Sequence, residues 1–236
     1  MQSLLDINGV FQLPTGWHEV TTRQFCDTDP LMTVEQRASY FAGRPIQVNG
    51  LVADALAWML TPPPTDGGLP YPADLGQETY LQVEELRASL AMPLRMSFGH
   101  VYGTFVARRR GFQRRDFNQG DVLNLALHCL DLLITDTYPA VAHCLAELDR
   151  LATKYAELSE PDPTEAAQRA RDAGADELLG MFSHFNVAKA IAQQMGITLD
   201  AAYQLPWETV AVYLLHERRS AILADNIQRN ARSSHE

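Results

Sequence analysis

Apolar residues along this chain recur mainly at intervals of three and four, the period of a helix with one buried face. The strongest case lies between 120 and 158, where Val141, Leu145, Leu148, Ala152 and Tyr155 follow one another at four, three, four and three. Asp149, Arg150, Lys154 and Glu157 fill the positions between them, and Pro139 divides the stretch into two helices or kinks one. Earlier in the chain Thr21 with Gln24, and Thr33 with Gln36, have the spacing of capping boxes, so a short helix starts at each and Gly43 closes the second. Leu51, Val52, Ala55, Leu56, Met59 and Leu60 give a further apolar face that Pro62-Pro63-Pro64 ends. Leu81, Leu86 and Leu90 predict another helix before Pro93.

Breakers divide these elements into units. The opening from Val10 to Val20 carries Pro14, Thr15, Gly16 and Trp17 and reads as an extended or short β arm. Between Thr61 and Gly76 stand five prolines and three glycines, a Pro/Gly loop. Ser159-Glu160-Pro161-Asp162-Pro163 is a polar linker, after which Thr164 caps a short helix that stops at Gly174. A helix from Leu178 to Met195 ends at Gly196, Thr198 starts a short one, and a last helix begins at Pro206. Trp207, Val210, Ala211, Leu214, Leu215, Ile222 and Leu223 recur on that last helix, whose residues from Asn230 to Glu236 are expected to fray. The expected fold is therefore mainly α: a helical domain over 1–158 with the arm and the loop at 61–76, a linker with a short helix over 159–175, and a compact C-terminal helical unit over 176–236. The core predicted for that unit is Phe182, Ile191, Met195, Ile197, Trp207, Val210 and Leu214.

Charge narrows the functions open to such a fold. With 19 Lys plus Arg against 29 Asp plus Glu, the chain of 236 residues has a formal charge of -10, which disfavours attraction to phosphate backbones or anionic lipid. One segment departs from this balance: Arg108, Arg109, Arg110, Arg114 and Arg115 place five positive charges within eight residues, with Phe105, Phe112 and Phe117 interleaved. A solvated or internally paired segment, a contact for an acidic protein and a single-strand binder are the three readings of that octet, and the acidic field opposes the third. No membrane contact is expected, because the most apolar stretch, 122–133, is interrupted by Asn124, His128 and Asp131. The N-terminus shows no basic segment followed by an apolar run, so no signal peptide is expected either.

Candidate chemistry is sparse. Cys26, Cys129 and Cys144 are an odd number without a CxxC pair, which fits a reducing cytoplasm rather than a disulfide framework. His128-Cys129 and His143-Cys144 would lie about 22 Å apart on one continuous helix and come level only in a hairpin. Adjacent helical ligands diverge by about 100°, so no metal is expected there, and buried cysteines beside partly exposed histidines are the better reading. Ile191, Ala192, Met195, Gly196, Ile197, Ala202 and Leu205 stand where a helix-turn-helix has its packing residues. The would-be recognition helix, Leu199 to Gln204, has no Arg or Lys and carries Asp200, so nucleic acid is not the expected partner. No GxSxG, Walker, GxGxxG or HExxH string occurs, and His216-Glu217-Arg218-Arg219-Ser220 lacks the second histidine of the last. A non-enzymatic protein with no cofactor is expected.

Two stretches carry a family likeness. Leu13-Pro14-Thr15-Gly16-Trp17-His18-Glu19-Val20-Thr21-Thr22-Arg23-Gln24-Phe25 resembles the proline, tryptophan and threonine-capped opening of phage tail assembly chaperones. Ala188 to Leu215, with Gly196-Ile197-Thr198, a short acidic helix, Leu205-Pro206-Trp207-Glu208 and the long last helix, is similar to their C-terminal helical unit. Together they cover about forty of the 236 residues. The resemblance implies a non-catalytic protein of the host cell cytoplasm that holds the tape measure protein while tail tube subunits are recruited. A structural virion component or adaptor is the alternative, and a helix-turn-helix regulator a further one. Partner contact is expected at Arg108, Arg109, Arg110, Arg114 and Arg115, and at Glu217 and Arg218 on the last helix, with self-association left open.

Overall fold

The computed structural model describes residues 16–27, 36, 40–41, 62–66, 71–90, 92–106 and 127–233. These residues are mainly helical, and no sheet occurs among them. The helices are α1 (Thr22–Cys26), α2 (Tyr80–Leu90), α3 (Leu94–His100), α4 (Ile134–Lys154), α5 (Glu165–Asp172), α6 (Ala175–Leu179), α7 (Ser183–Met195), α8 (Leu199–Tyr203) and α9 (Trp207–Ser233). A π-helical turn, Val101–Val106, follows α3 directly. Two compact units are present: Met1–Ala73 with Glu85–Leu148, and Asp74–Glu84 with Asp149–Glu236. This division differs from a boundary drawn along the linear sequence at 158–176, because residues 74–84 belong with the C-terminal half.

In the first unit the capping box at Thr21 forms as its sequence requires. The Thr21 hydroxyl accepts from Gln24 N, and the Gln24 side-chain oxygen accepts from Thr21 N at 2.9 Å, so two backbone donors of the helix start are satisfied. That start is pinned to the residues entering α4. Thr22 N donates to Leu132 O at 2.8 Å, Arg23 N to Leu130 O at 2.9 Å, and Ile134 N to Val20 O at 2.8 Å. Thr21 and Leu133 form an isolated antiparallel bridge. Below it the Thr22 and Thr137 hydroxyls lie 2.7 Å apart, and Phe25 packs edge-on against Phe98 at 5.6 Å and Tyr138 at 6.0 Å. Burying each such aromatic contributes about 1.5–3 kcal/mol.

The N-terminal arm needs correction. Residues 10–15 lie outside the described residues, but Trp17–Glu19 is a 3₁₀ turn closed by Val20 N to Trp17 O, and the bridge at Thr21 is an isolated one. Trp17 turns back onto Phe25, with ring centroids 5.7 Å apart, and that contact favours a turn over an extended strand. The second capping box and its helix fall mostly outside the described residues, as does the apolar face at 51–60.

Pro139 neither divides nor ends α4, which runs unbroken from Ile134 to Lys154. Pro139 is the sixth residue of the helix and leaves the carbonyl of Thr135 without its helical donor, yet the helix continues through it. The break falls earlier, at 130–133, where Leu132 O is taken by Thr22. Three of the five expected inward positions, Val141, Leu148 and Tyr155 just beyond the end of α4, are buried, but Cys144 and Leu151 take the places expected for Leu145, which is half-buried, and Ala152, which is exposed. Both sets repeat at three and four, so periodicity alone does not choose between them.

In the second unit, residues 74–84 lie against the start of α9. Thr79 and Pro206 form an antiparallel bridge, Tyr80 N donates to Leu205 O at 2.8 Å, and Trp207 N donates to Glu78 O at 2.9 Å. Gly196 ends α7 in the left-handed region, at φ 65°, which a residue with a Cβ adopts only at a cost. Ile197 N then returns to Ala192 O, and Thr198 caps α8 by accepting from Ala201 N. Ala188, Ile191, Ala202, Trp207, Val210 and Ala211 are buried around this turn. Two of the predicted core residues are not: Phe182 and Met195 are 46% and 52% exposed, and Ile197 and Leu214 are half-buried. Of the stretch from Asn230 that is expected to fray, the residues to Ser233 are helical, with Arg232 3.4 Å from Glu165 of α5, and 234–236 lie outside the described residues.

Candidate functional site

The arginine octet, Arg108 to Arg115, lies outside the described residues. Glu217 and Arg218 lie on α9 and differ in what they do. Arg218 is a structural clamp: its two Nη groups donate to Glu160 O at 2.8 Å and Pro161 O at 2.9 Å, fixing the turn before α5. Its neighbour Arg219 meets Glu157 at 2.7 Å, and this guanidinium holds the Glu157 carboxyl below the usual carboxylate range. Glu217 is half-buried and sits 3.4 Å from His216. The linker that composition suggested at 159–163 is thus tied to α9 at both Glu157 and the 160–161 carbonyls.

The richest side-chain cluster was not foreseen. Glu208, in the first turn of α9, accepts from Lys154 Nζ and, on the same oxygen, from the Tyr155 hydroxyl at 2.8 Å; Gln77 lies 3.4 Å from its other oxygen. Arg150 reaches Asp74 at 2.6 Å, and Trp207 Nε1 donates to Glu84 at 2.8 Å. Donation from Lys154 and Tyr155 lowers the Glu208 carboxyl from its ordinary value. Each acid here is matched to a donor drawn from a different stretch of chain, so the arrangement fastens three segments together. The signal available in sequence was the pairing of Lys154-Tyr155 with Trp207-Glu208, two short polar-aromatic strings with no helical spacing to connect them.

The histidine and cysteine pairs point to separate neighbours. Cys129 and Cys144 are both fully buried, and the Cys129 sulfur lies 3.8 Å from Phe98 O. Burial pushes the Cys129 thiol up to about 12. His128 is exposed near Tyr102, whereas His143 is half-buried with its ring 4.5 Å from Tyr71. Buried cysteines beside partly exposed histidines are what the structure shows, and among the described residues no group of three or more His, Cys, Asp or Glu side chains is placed to hold a metal ion.

Among the described residues of the second unit, two exposed apolar surfaces stand out. On α9 the residues Val212, His216, Ser220, Leu223, Ile227 and Ala231 are exposed and follow one another at three and four, forming a stripe without a formal charge apart from His216 when protonated. Leu223 and Ile227 are 61% and 60% exposed, whereas Asp225, between them, is half-buried and ion-paired with Arg229. Over this half of the helix most side chains, polar and apolar alike, are exposed, so Leu223 and Ile227 have no cover from their own unit. The second surface runs from α6 into α7 and carries Leu178, Leu179, Phe182 and Phe185. Among the described residues no helix is long and apolar enough to cross a membrane. No family model, curated protein or solved structure matches the chain.

Proposed function

We propose that this protein is a non-enzymatic phage tail assembly chaperone that binds the tape measure protein and tail tube subunits in the host cell cytoplasm during tail morphogenesis. The observation that carries the reading is the exposure of large apolar side chains toward the end of α9. Leu223 and Ile227 lie in solvent while Asp225, Arg229 and Arg232 are spent on ion pairs within the unit. An uncharged stripe about 22 Å long, from Val212 to Ile227, suits a partner that presents a helix with its own apolar face. The resemblance of 13–25 and 188–215 to the chaperone family supplies the identity of that partner, and the arginine octet a second, electrostatic contact for an acidic surface. The clamp around Glu208 supports a scaffolding role, because its polar groups hold segments together.

Affinity purification from infected or lysogenic cells tests this. Recovery of a long tail protein with the intact chain, and its loss when Leu223 and Ile227 are both replaced by Ser, is the expected result. Stoichiometric presence of the chain in purified mature particles would overturn the chaperone reading in favour of a structural tail component.

A further inference from the structure

We infer that the surface running from α6 into α7 is the two-fold contact of a homodimer, in which this segment pairs antiparallel with the same segment of a second copy. Phe182, Phe185 and Lys189 follow one another at three and four from the start of α7, so they share one side of it, and Leu178 and Leu179 precede them in α6 across the 3₁₀ turn Gly180–Phe182. All five are exposed, Leu178 to 71%, and the C-terminal half of α7 is anchored in the unit through Ala188, Ile191 and Ala192. Four large apolar side chains within eight residues form a patch that a monomeric protein rarely leaves in water.

The charges bounding the patch identify what covers it. Glu177 stands at one end and Lys189 at the other; both are exposed, and neither takes part in an ion pair among the described residues. A two-fold contact is isologous, so whatever one residue meets, its counterpart meets in return. Setting Phe182 against Phe185 of the second copy fixes the register. The end of the contact formed by α6, with Glu177 and Leu178, then falls on the side where Lys189 of the second copy lies, and the four-carbon stem of that lysine extends toward the acid. The pairing occurs twice, once at each end, while the aromatic rings meet in the middle at offset or edge-on geometry. A segment with acid at one end, base at the other and aromatics between is complementary to itself when antiparallel. In the parallel arrangement it sets like charges together. A uniformly acidic or basic partner would satisfy one end and be repelled at the other.

The inference does not depend on the chaperone reading, which concerns α9 and the octet. Sedimentation equilibrium on the full chain tests it. The expected result is twice the chain mass, with Phe182→Asp giving a monomer of unchanged helical content. Glu177→Lys and Lys189→Glu should each raise the dimer dissociation constant about tenfold, and the double reversal E177K/K189E should restore it, because it exchanges the two ends of every pair. A single-copy mass at about 100 µM, where a standard-sized specific interface is occupied, would overturn the inference. So would a dimer indifferent to Phe182→Asp, or single reversals that the double reversal fails to rescue.

Discussion

The indole Nε1 of Trp207 donates to the carboxylate of Glu84, 123 positions earlier in the chain, at 2.8 Å. The same ring packs edge-on against Tyr155, with centroids 5.6 Å apart, and is only 5% exposed. One side chain therefore joins three stretches of the second unit: 74–84, the segment following α4, and α9. Truncating it removes a large buried ring and a donor to a carboxylate together. Trp207→Ala should lower the stability of this unit by about 3–5 kcal/mol. Trp207→Phe, which keeps most of the ring contact, should cost about 1–2 kcal/mol through the missing N–H. Chemical denaturation followed by far-UV circular dichroism measures both, and equal losses for the two variants would show that ring packing contributes little.

Acid should loosen the same unit. Hydrogen bonds from Lys154 and Tyr155 depress the Glu208 carboxyl, and the Arg219 guanidinium does the same for Glu157. A carboxyl lowered on folding stabilises the folded state above its ordinary value of 4.5, and that contribution disappears as pH falls through the lowered value. Melting temperature should therefore be level down to about pH 5 and decline below it. Glu208→Gln removes one of the two titrating groups, so the variant should start less stable at pH 7 and decline less steeply. A decline identical to that of the parent chain would assign the acid sensitivity to other carboxylates.

How much of this was legible in the sequence depends on how local the cause is. The capping box at Thr21 and Gln24, the Gly196 stop, the Thr198 and Thr164 caps and the helix 80–90 are all set by residues within four positions, and each is found where the spacing puts it. Pro139 misled because a proline inside a helix usually ends or kinks it, and here α4 continues unbroken through that position. Phe182 and Met195 misled in another way: they have core chemistry at the two ends of α7, yet both are left in water. The Glu208 clamp was invisible because its members come from three separated segments, and ion-pair geometry leaves no periodic trace.

The cysteines offer a direct check on packing in the first unit. Cys129 and Cys144 are fully buried, Cys26 nearly so, and burial moves the Cys129 thiol up to about 12, far from the thiolate form that reacts. None of the three should label with an aromatic disulfide reagent at pH 8 in the native protein within the time that small peptides react fully. All three should label at once in denaturant. Fast native labelling at Cys129, located by mass spectrometry, would show that α4 and the segment before it open on that timescale.

Partner binding separates the two contacts proposed for the chaperone. The stripe on α9 is apolar, so replacing Leu223 and Ile227 by Ser should weaken association with the tail partner to a similar degree at low and high salt. The octet acts through charge in a chain of net -10, and replacing Arg108, Arg109, Arg110, Arg114 and Arg115 by Gln leaves the chain at -15. Its contribution should be largest at low ionic strength and nearly gone at about 0.5 M salt, where screening acts within a few ångströms. Because steering acts on encounter, the Gln variant should lose association rate more than it gains dissociation rate. Biosensor kinetics across a salt series, run on both variants with the partner recovered from cells, distinguish these outcomes. An octet variant that binds as fast as the parent at low salt would leave the arginines without a role in partner capture, and the α9 stripe as the contact that remains.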